Sequence, residues 1–129
     1  MYKRQALSYD DGSDIVVTVL NQAGSGLAGS TYVGGSGNDG LHLREVGVRL
    51  NYSDDLRGEV IVDDDDNIYV ASTTYSQNFP VTAGVFDNVN EPSNGGAINE
   101  DAVIFKLNPT VSSMLWACLL YTSPSPRDA

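Results

Sequence analysis

Apolar positions in this chain fall into short runs separated by polar and glycine-rich stretches. Residues 14–21, Asp-Ile-Val-Val-Thr-Val-Leu-Asn, are rich in β-branched side chains and bounded by turn formers, which predicts a strand. Residues 101–108, Asp-Ala-Val-Ile-Phe-Lys-Leu-Asn, repeat that run 87 positions later. Asp14 matches Asp101, Val16 matches Val103, Leu20 matches Leu107 and Asn21 matches Asn108, and Leu27-Ala28 falls opposite Met114-Leu115. Between the copies, Gly58-Glu-Val-Ile-Val62 and Ile68-Tyr-Val-Ala-Ser72 flank Asp63 to Asn67, whose Asp and Asn side chains bond their own backbone and tolerate a left-handed turn. That reads as a hairpin. Residues 28–33 alternate small, polar and aromatic side chains before Gly34-Gly-Ser-Gly-Asn-Asp-Gly40, where the chain must turn.

No segment keeps a 3.6-residue apolar period, so the expected fold class is all-β, built of antiparallel sheets. Residues 41–50 carry Leu41, Leu43, Val46, Val48 and Leu50 with a break at Glu45-Val46, which fits a strand or an irregular insertion better than a helix. Residues 79–99 hold Pro80, Pro92, Gly84, Gly95 and Gly96. They read as a long ordered loop with Phe79, Val85 and Phe86 as buttons onto the core.

Charge narrows the partners. The 129 residues carry 17 acidic and 7 basic side chains, a formal charge of −10. An acidic surface repels a phosphate backbone, so nucleic acid is not an expected partner. No stretch approaches the roughly 20 apolar residues of a membrane-spanning helix, and a single cysteine closes no intramolecular bridge.

Both ends read as foreign. Residues 118–128, Cys-Leu-Leu-Tyr-Thr-Ser-Pro-Ser-Pro-Arg-Asp, match a translated transposon-based sequencing adapter, and Met1-Tyr-Lys-Arg-Gln5 matches the reverse complement of part of it. Residues 1–5 and 118–129 are therefore expected to be adapter-derived. The remaining 6–117 hold Arg44, Arg49, Arg57 and Lys106 against 16 acids, a charge of −12.

Five phrases carry a family likeness: Ser30-Thr-Tyr-Val-Gly-Gly-Ser-Gly-Asn-Asp39, Gly58-Glu-Val-Ile-Val-Asp63, Asn67-Ile-Tyr-Val-Ala-Ser-Thr-Thr74, Asn78-Phe-Pro-Val-Thr-Ala-Gly-Val-Phe86 and Asp101-Ala-Val-Ile-Phe-Lys-Leu-Asn-Pro109. In this order they resemble the SBBP-type β-propeller repeat. The chain departs from that pattern at the long connection 41–56, at 91–100, and at Gly29, where a larger residue is common. The resemblance implies four-stranded antiparallel blades around a channel, about one and a half of them here. On that mapping 6–40 hold the two outer strands of one blade, 41–57 a connection, and 58–117 the next blade.

The resemblance further implies a non-enzymatic structural or binding segment of a large secreted or cell-surface bacterial protein, similar to Bacteroidota proteins of the type IX route. Adhesion or ligand presentation is the implied role. The implied partners are neighbouring blades of the same chain, with a glycan or protein ligand. The alternative is a non-catalytic blade of a propeller enzyme, a glycoside hydrolase or lyase, whose active site lies elsewhere.

Candidate chemistry is sparse. Asp63, Asp64, Asp65 and Asp66 form the one candidate metal site, for Ca²⁺, which takes several oxygen ligands on a flexible loop. They lack the EF-hand glycine and closing glutamate, and a solvated hairpin turn is the competing reading. Asp10-Asp11 and Asp54-Asp55 read as surface pairs, Glu59 with Asp54 and Asp55 offers only a generic carboxylate pair, and His42 has neither a cysteine nor a second histidine to make a zinc site with. The run 34–40 lacks the lysine and spacing of a phosphate loop. Tyr32, Tyr69 and Tyr75 suit packing between blades better than a sugar-stacking surface. No catalytic residue and no cofactor is expected.

Overall fold

The computed structural model describes residues 12–41, 58–90 and 100–120. Asp10, Asp11, His42, Asp54 and Asp55, the expected connection beyond Leu41 up to residue 57, the second half of the 79–99 loop, and residues 1–5 and 121–129, expected to be adapter-derived, lie outside them.

Six strands and no helix make up the described residues: β1 (Ile15–Leu20), β2 (Leu27–Val33), β3 (Glu59–Val62), β4 (Ile68–Thr74), β5 (Asp101–Leu107) and β6 (Met114–Leu120). The fold is all-β. β1 and β2 form a two-stranded antiparallel sheet, and β3-β4-β5-β6 form a four-stranded antiparallel meander. No described helix is long and apolar enough to cross a membrane.

The 87-residue repeat is a repeat of register. Ile15 pairs with Val33 as Ala102 pairs with Leu120, and Val17 with Thr31 as Ile104 with Cys118. Each pair of strands carries one irregularity, at Val19/Leu20 and at Lys106/Leu107, again 87 positions apart. The turns match in detail. The Asn21 side-chain oxygen accepts the Ser25 N–H at 2.9 Å and its amide donates to the Ser25 hydroxyl at 3.2 Å. Asn108 does the same with Ser112, at 2.9 Å in both bonds. Gly24 and Val111 occupy one further matched position, both with positive φ (66° and 49°). Glycine takes that conformation freely, whereas a β-branched residue there is strained.

Alternation places the core between the sheets. On β5 and β6, Val103, Phe105, Leu107, Ala117 and Leu119 are fully or almost fully buried, joined from β4 by Ile68 and Val70. Val17 and Val33 of the two-stranded sheet belong to the same cluster, with Ile15 and Val19 packed against it. Val111 is 1% exposed and lies where a side chain on Gly29 would stand. Its packing against β2 holds the strained turn in place.

Two expectations need correction. Phe79 is buried and packs on Phe105, with ring centroids 6.3 Å apart, but Phe86 is 92% exposed. The loop is fastened by its backbone instead: Thr82 N–H donates to the Ala117 carbonyl at 3.1 Å and Leu119 N–H to the Asp87 carbonyl at 3.0 Å. Those bonds cover the free edge of β6 and leave Phe86, between them, facing outward. The last strand also runs past its expected end at Ala117. Leu119 continues the inward alternation and is 2% exposed, so Cys118, Leu119 and Leu120 join the sheet.

Gly29→Ala tests the sheet packing. A Cβ there would lie 2.5 Å from the Thr110 carbonyl oxygen and 2.8 Å from Val111 Cγ2. Overpacking of this kind costs about 1–3 kcal/mol, which a lowered urea midpoint of unfolding reads directly.

Candidate functional site

The glycine run between β2 and β3 and the segment after β4 meet at one polar junction. Asp39 sits at its centre and is 1% exposed. Its carboxylate accepts the Gly35 N–H at 2.7 Å, the Ser76 hydroxyl at 2.8 Å and the Thr74 hydroxyl. Its backbone N–H donates to the Ser13 carbonyl at 2.7 Å, and its carbonyl accepts the Ser13 hydroxyl at 3.1 Å. One residue thus holds the start of β1, the end of β2 and the end of β4. A buried carboxylate is tolerable only with such partners.

Flanking bonds extend the joint. Gly40 N–H donates to the Thr73 carbonyl and Tyr75 N–H to the Asn38 carbonyl, at 2.8 and 2.9 Å. The Ser36 N–H and hydroxyl both donate to the Asn78 side-chain oxygen, at 2.8 and 2.9 Å. Glycine is needed here chiefly for close approach: a Cβ on Gly34 would stand 2.3 Å from an Asp14 oxygen and 2.7 Å from Asp39 Oδ2. The run 34–40 is therefore more than a turn. It is where the first sheet's chain reaches the second.

Asp14 faces this joint. Burial, and then the nearby Asp39 charge, push its carboxyl above the usual aspartate range.

The acidic turn is the second cluster. Asp63 accepts the Asp65 N–H at 3.1 Å, the Asn67 N–H at 2.8 Å, the Asn67 amide on both oxygens and the Tyr69 hydroxyl at 3.2 Å. Lys106 adds an ion pair at 3.1 Å and lies 4.7 Å from the centre of the Tyr69 ring. Desolvation pushes the Asp63 carboxyl up, but the bonds from Asn67, Lys106 and Tyr69 outweigh it and hold the group well below the ordinary range. The same contacts, that to Tyr69 foremost, raise Lys106. Asp64, Asp65 and Asp66 point to solvent, with Asp66 at φ 62°. The structure thus separates the four expected ligands: Asp63 is tied to the sheet and the other three are exposed. No group of three or more His, Cys, Asp or Glu side chains is placed to hold a metal among the described residues.

Tyr69 also packs edge-on against Trp116, with centroids 6.0 Å apart, on the second sheet's outer face. Tyr32 lies on the outer face of the first sheet, 42% exposed, and Tyr75 at the polar junction. The three tyrosines share no surface. Glu59 is exposed on β3.

Exposure contrasts sharply between repeat-matched positions. Val16, Leu20 and Tyr32 are 55%, 56% and 42% exposed, while their counterparts Val103, Leu107 and Leu119 are 0%, 0% and 2%. Among the described residues, the second sheet has a sheet stacked on that face and the first does not. Covering Val16 and Leu20 would contribute about 1 kcal/mol each by area. A scan against protein-family models, a search of curated proteins and a search of solved structures each return no match to this chain.

Sequence reasoning kept Asp39 inside a recognised phrase but assigned it no role. Its signal was the run of small residues around it, since a carboxylate amid glycines next to Ser and Thr has donors within reach.

Asp14→Asn tests the electrostatics of the joint. A carboxylate whose folded pKa is raised opposes folding while ionised, and the cost disappears as pH falls through that pKa. The variant is expected to stabilise the chain at pH 7 by at most about 0.5 kcal/mol, and the gain to fade on acidification toward the usual aspartate range. Thermal unfolding of both proteins across that pH interval checks the sign.

Proposed function

We propose that the chain is a stretch of an SBBP-type β-propeller from a large secreted or cell-surface bacterial protein, with a non-enzymatic role in adhesion or ligand presentation. The observation that supports this reading is the repeat: one strand pair recurs 87 residues later with the same register, irregularity and asparagine turn, and the first copy stacks its face on the second. A repeat unit that cannot bury its apolar face alone does so against its neighbour, and a ring of such units offers its loops rather than its core to partners. The bare apolar face of Val16, Leu20 and Tyr32 fits a unit with a neighbour still to be added.

The functional part of the reading follows from what the polar clusters do. Asp39 and Asp63 are each committed to several internal donors, which makes them joints of the scaffold. Loops such as 64–66 and 83–89 are the surfaces left to meet a glycan or protein ligand. An extracellular location belongs to the same proposal.

Long-read sequencing of the uninterrupted gene is the test. A reading frame that continues past Trp116 into a Ser-Thr-Tyr-Leu-Gly-Gly-like phrase and further repeats is expected. A frame that encodes residues 118–129 and stops overturns the propeller reading, and hydrolysis by the full-length protein that disappears on mutating one acidic residue overturns its non-enzymatic part.

A further inference from the structure

Where the two sheets meet, a turn and a strand compete for one space. The turn after β5 presents Val111, which is 1% exposed, and β2 presents Gly29. A Cβ on Gly29 would lie 2.8 Å from Val111 Cγ2, so the place between turn and strand admits one side chain, and the turn supplies it. At the repeat-matched positions the sizes are exchanged. Gly24 stands where Val111 stands, and Trp116 stands where Gly29 stands. A Cβ on Gly24 would meet nothing within 4 Å among the described residues.

The exchanged residues belong to the two faces that do not meet each other. Val111 lies on the face of the second sheet that packs on the first, so by the repeat Gly24 belongs to the face of the first sheet that carries Val16, Leu20 and Tyr32. Gly29 lies on the opposite face of the first sheet. Its counterpart Trp116 accordingly lies on the outer face of the second, against Tyr69 and across from Lys106. Lys106 brings no uncompensated charge there, because Asp63 pairs with it at 3.1 Å. One outer face thus presents a bulky strand residue, and the other a turn with no side chain.

We propose that Gly29 and Val111, with their counterparts Trp116 and Gly24, are a steric selector for what stacks on each face. The space between an asparagine turn and the opposing strand takes one side chain, from either side and never from both. The Trp116 face therefore accepts a strand pair whose turn has glycine at the Gly24 position, and rejects one with valine there, which is specificity by clash. A second copy of this chain supplies that partner: its first sheet offers Gly24 together with the exposed Val16, Leu20 and Tyr32. Such a contact joins different faces of two copies and so extends beyond a pair. The inference rests on the repeat reading above and adds the residues that decide which unit stands next to which.

Building the outer combination into the inner contact tests the rule within the full chain. Urea midpoints are compared for Gly29→Trp, Val111→Gly and the double variant. Gly29→Trp alone is expected to lower the midpoint or abolish folding. Adding Val111→Gly is expected to recover it, because glycine removes the competing side chain and frees the Thr110 carbonyl to turn away. Gly29→Ala, with and without Val111→Gly, gives the same comparison with a smaller side chain. A Val111→Gly change that shifts the original chain as much as it shifts the Gly29 variants overturns the selector. The outer faces are read through Trp116, the sole tryptophan of the chain. In a Cys118→Ser background its emission is expected to move to the blue with rising protein concentration as copies stack, and Gly24→Val to raise the concentration needed by about tenfold. Emission that does not depend on concentration, or a shift that Gly24→Val leaves unchanged, overturns the proposal. Failure here beside a gene that continues into repeats removes this inference alone, whereas a gene without repeats removes the reading beneath it.

Discussion

A single buried carboxylate sits at the centre of the polar joint between the two sheets. Asp39 takes bonds from Gly35, Thr74 and Ser76 while its backbone holds Ser13, so the beginning and end of the first sheet and the end of β4 are fixed to one residue. Apolar contact between the sheet faces is non-directional and leaves them free to slide. The directional bonds set where Val17 and Val33 land on the second sheet. Removing one partner of such a network leaves a buried group unsatisfied, and the close approach of Asp14, Asp39, Ser76 and Asn78 leaves no room for a side chain at 34 or 35.

The consequences of stacking outweigh local sequence. Val16 and Val103 occupy matched positions in matched strands, yet one is more than half exposed and the other has no exposure. Strand registry comes from the backbone pattern and the asparagine turns, whereas burial comes from what lies above. The contrast between Gly29 and Trp116 is of the same kind. Gly29 admits the Thr110-Val111 turn, while Trp116, at the matched place on a face with no sheet above it among the described residues, packs sideways on Tyr69. Val111 keeps a left-handed conformation that Gly24 adopts without cost, because only Val111 fills space in the core.

Much of this architecture was legible in the chain. Alternation and β-branching marked β1 to β5 to within a few residues, β6 followed only from the family resemblance, and the matched Asn21 and Asn108 belonged to the repeat without any turn being read from them. Asp63 to Asn67 read as a turn and is one, because a side-chain oxygen bonding its own backbone is a local property. What depended on distant partners was not legible. Nothing in the chain separates Phe79 from Phe86, since the difference is made by backbone bonds from the loop to Ala117 and Leu119. The residues expected to be foreign at Cys118 to Leu120 still enter β6, because an edge position asks only for apolar alternation and backbone donors. Asp39 looked like one aspartate among many until Thr74 and Ser76 were brought to it from 35 and 37 residues away.

The central claim is that the Asp39 joint makes the two sheets one cooperative body. Native-state amide exchange tests it most directly, comparing Val17 and Thr31 in the first sheet with Val70 and Phe105 in the second. The account predicts that in the original chain all four exchange through one common opening, and that Asp39→Ala lowers protection of Val17 and Thr31 by about ten- to hundredfold more than that of Phe105. Protection of the two sheets that already differs in the original chain, and that Asp39→Ala leaves unchanged, would contradict it.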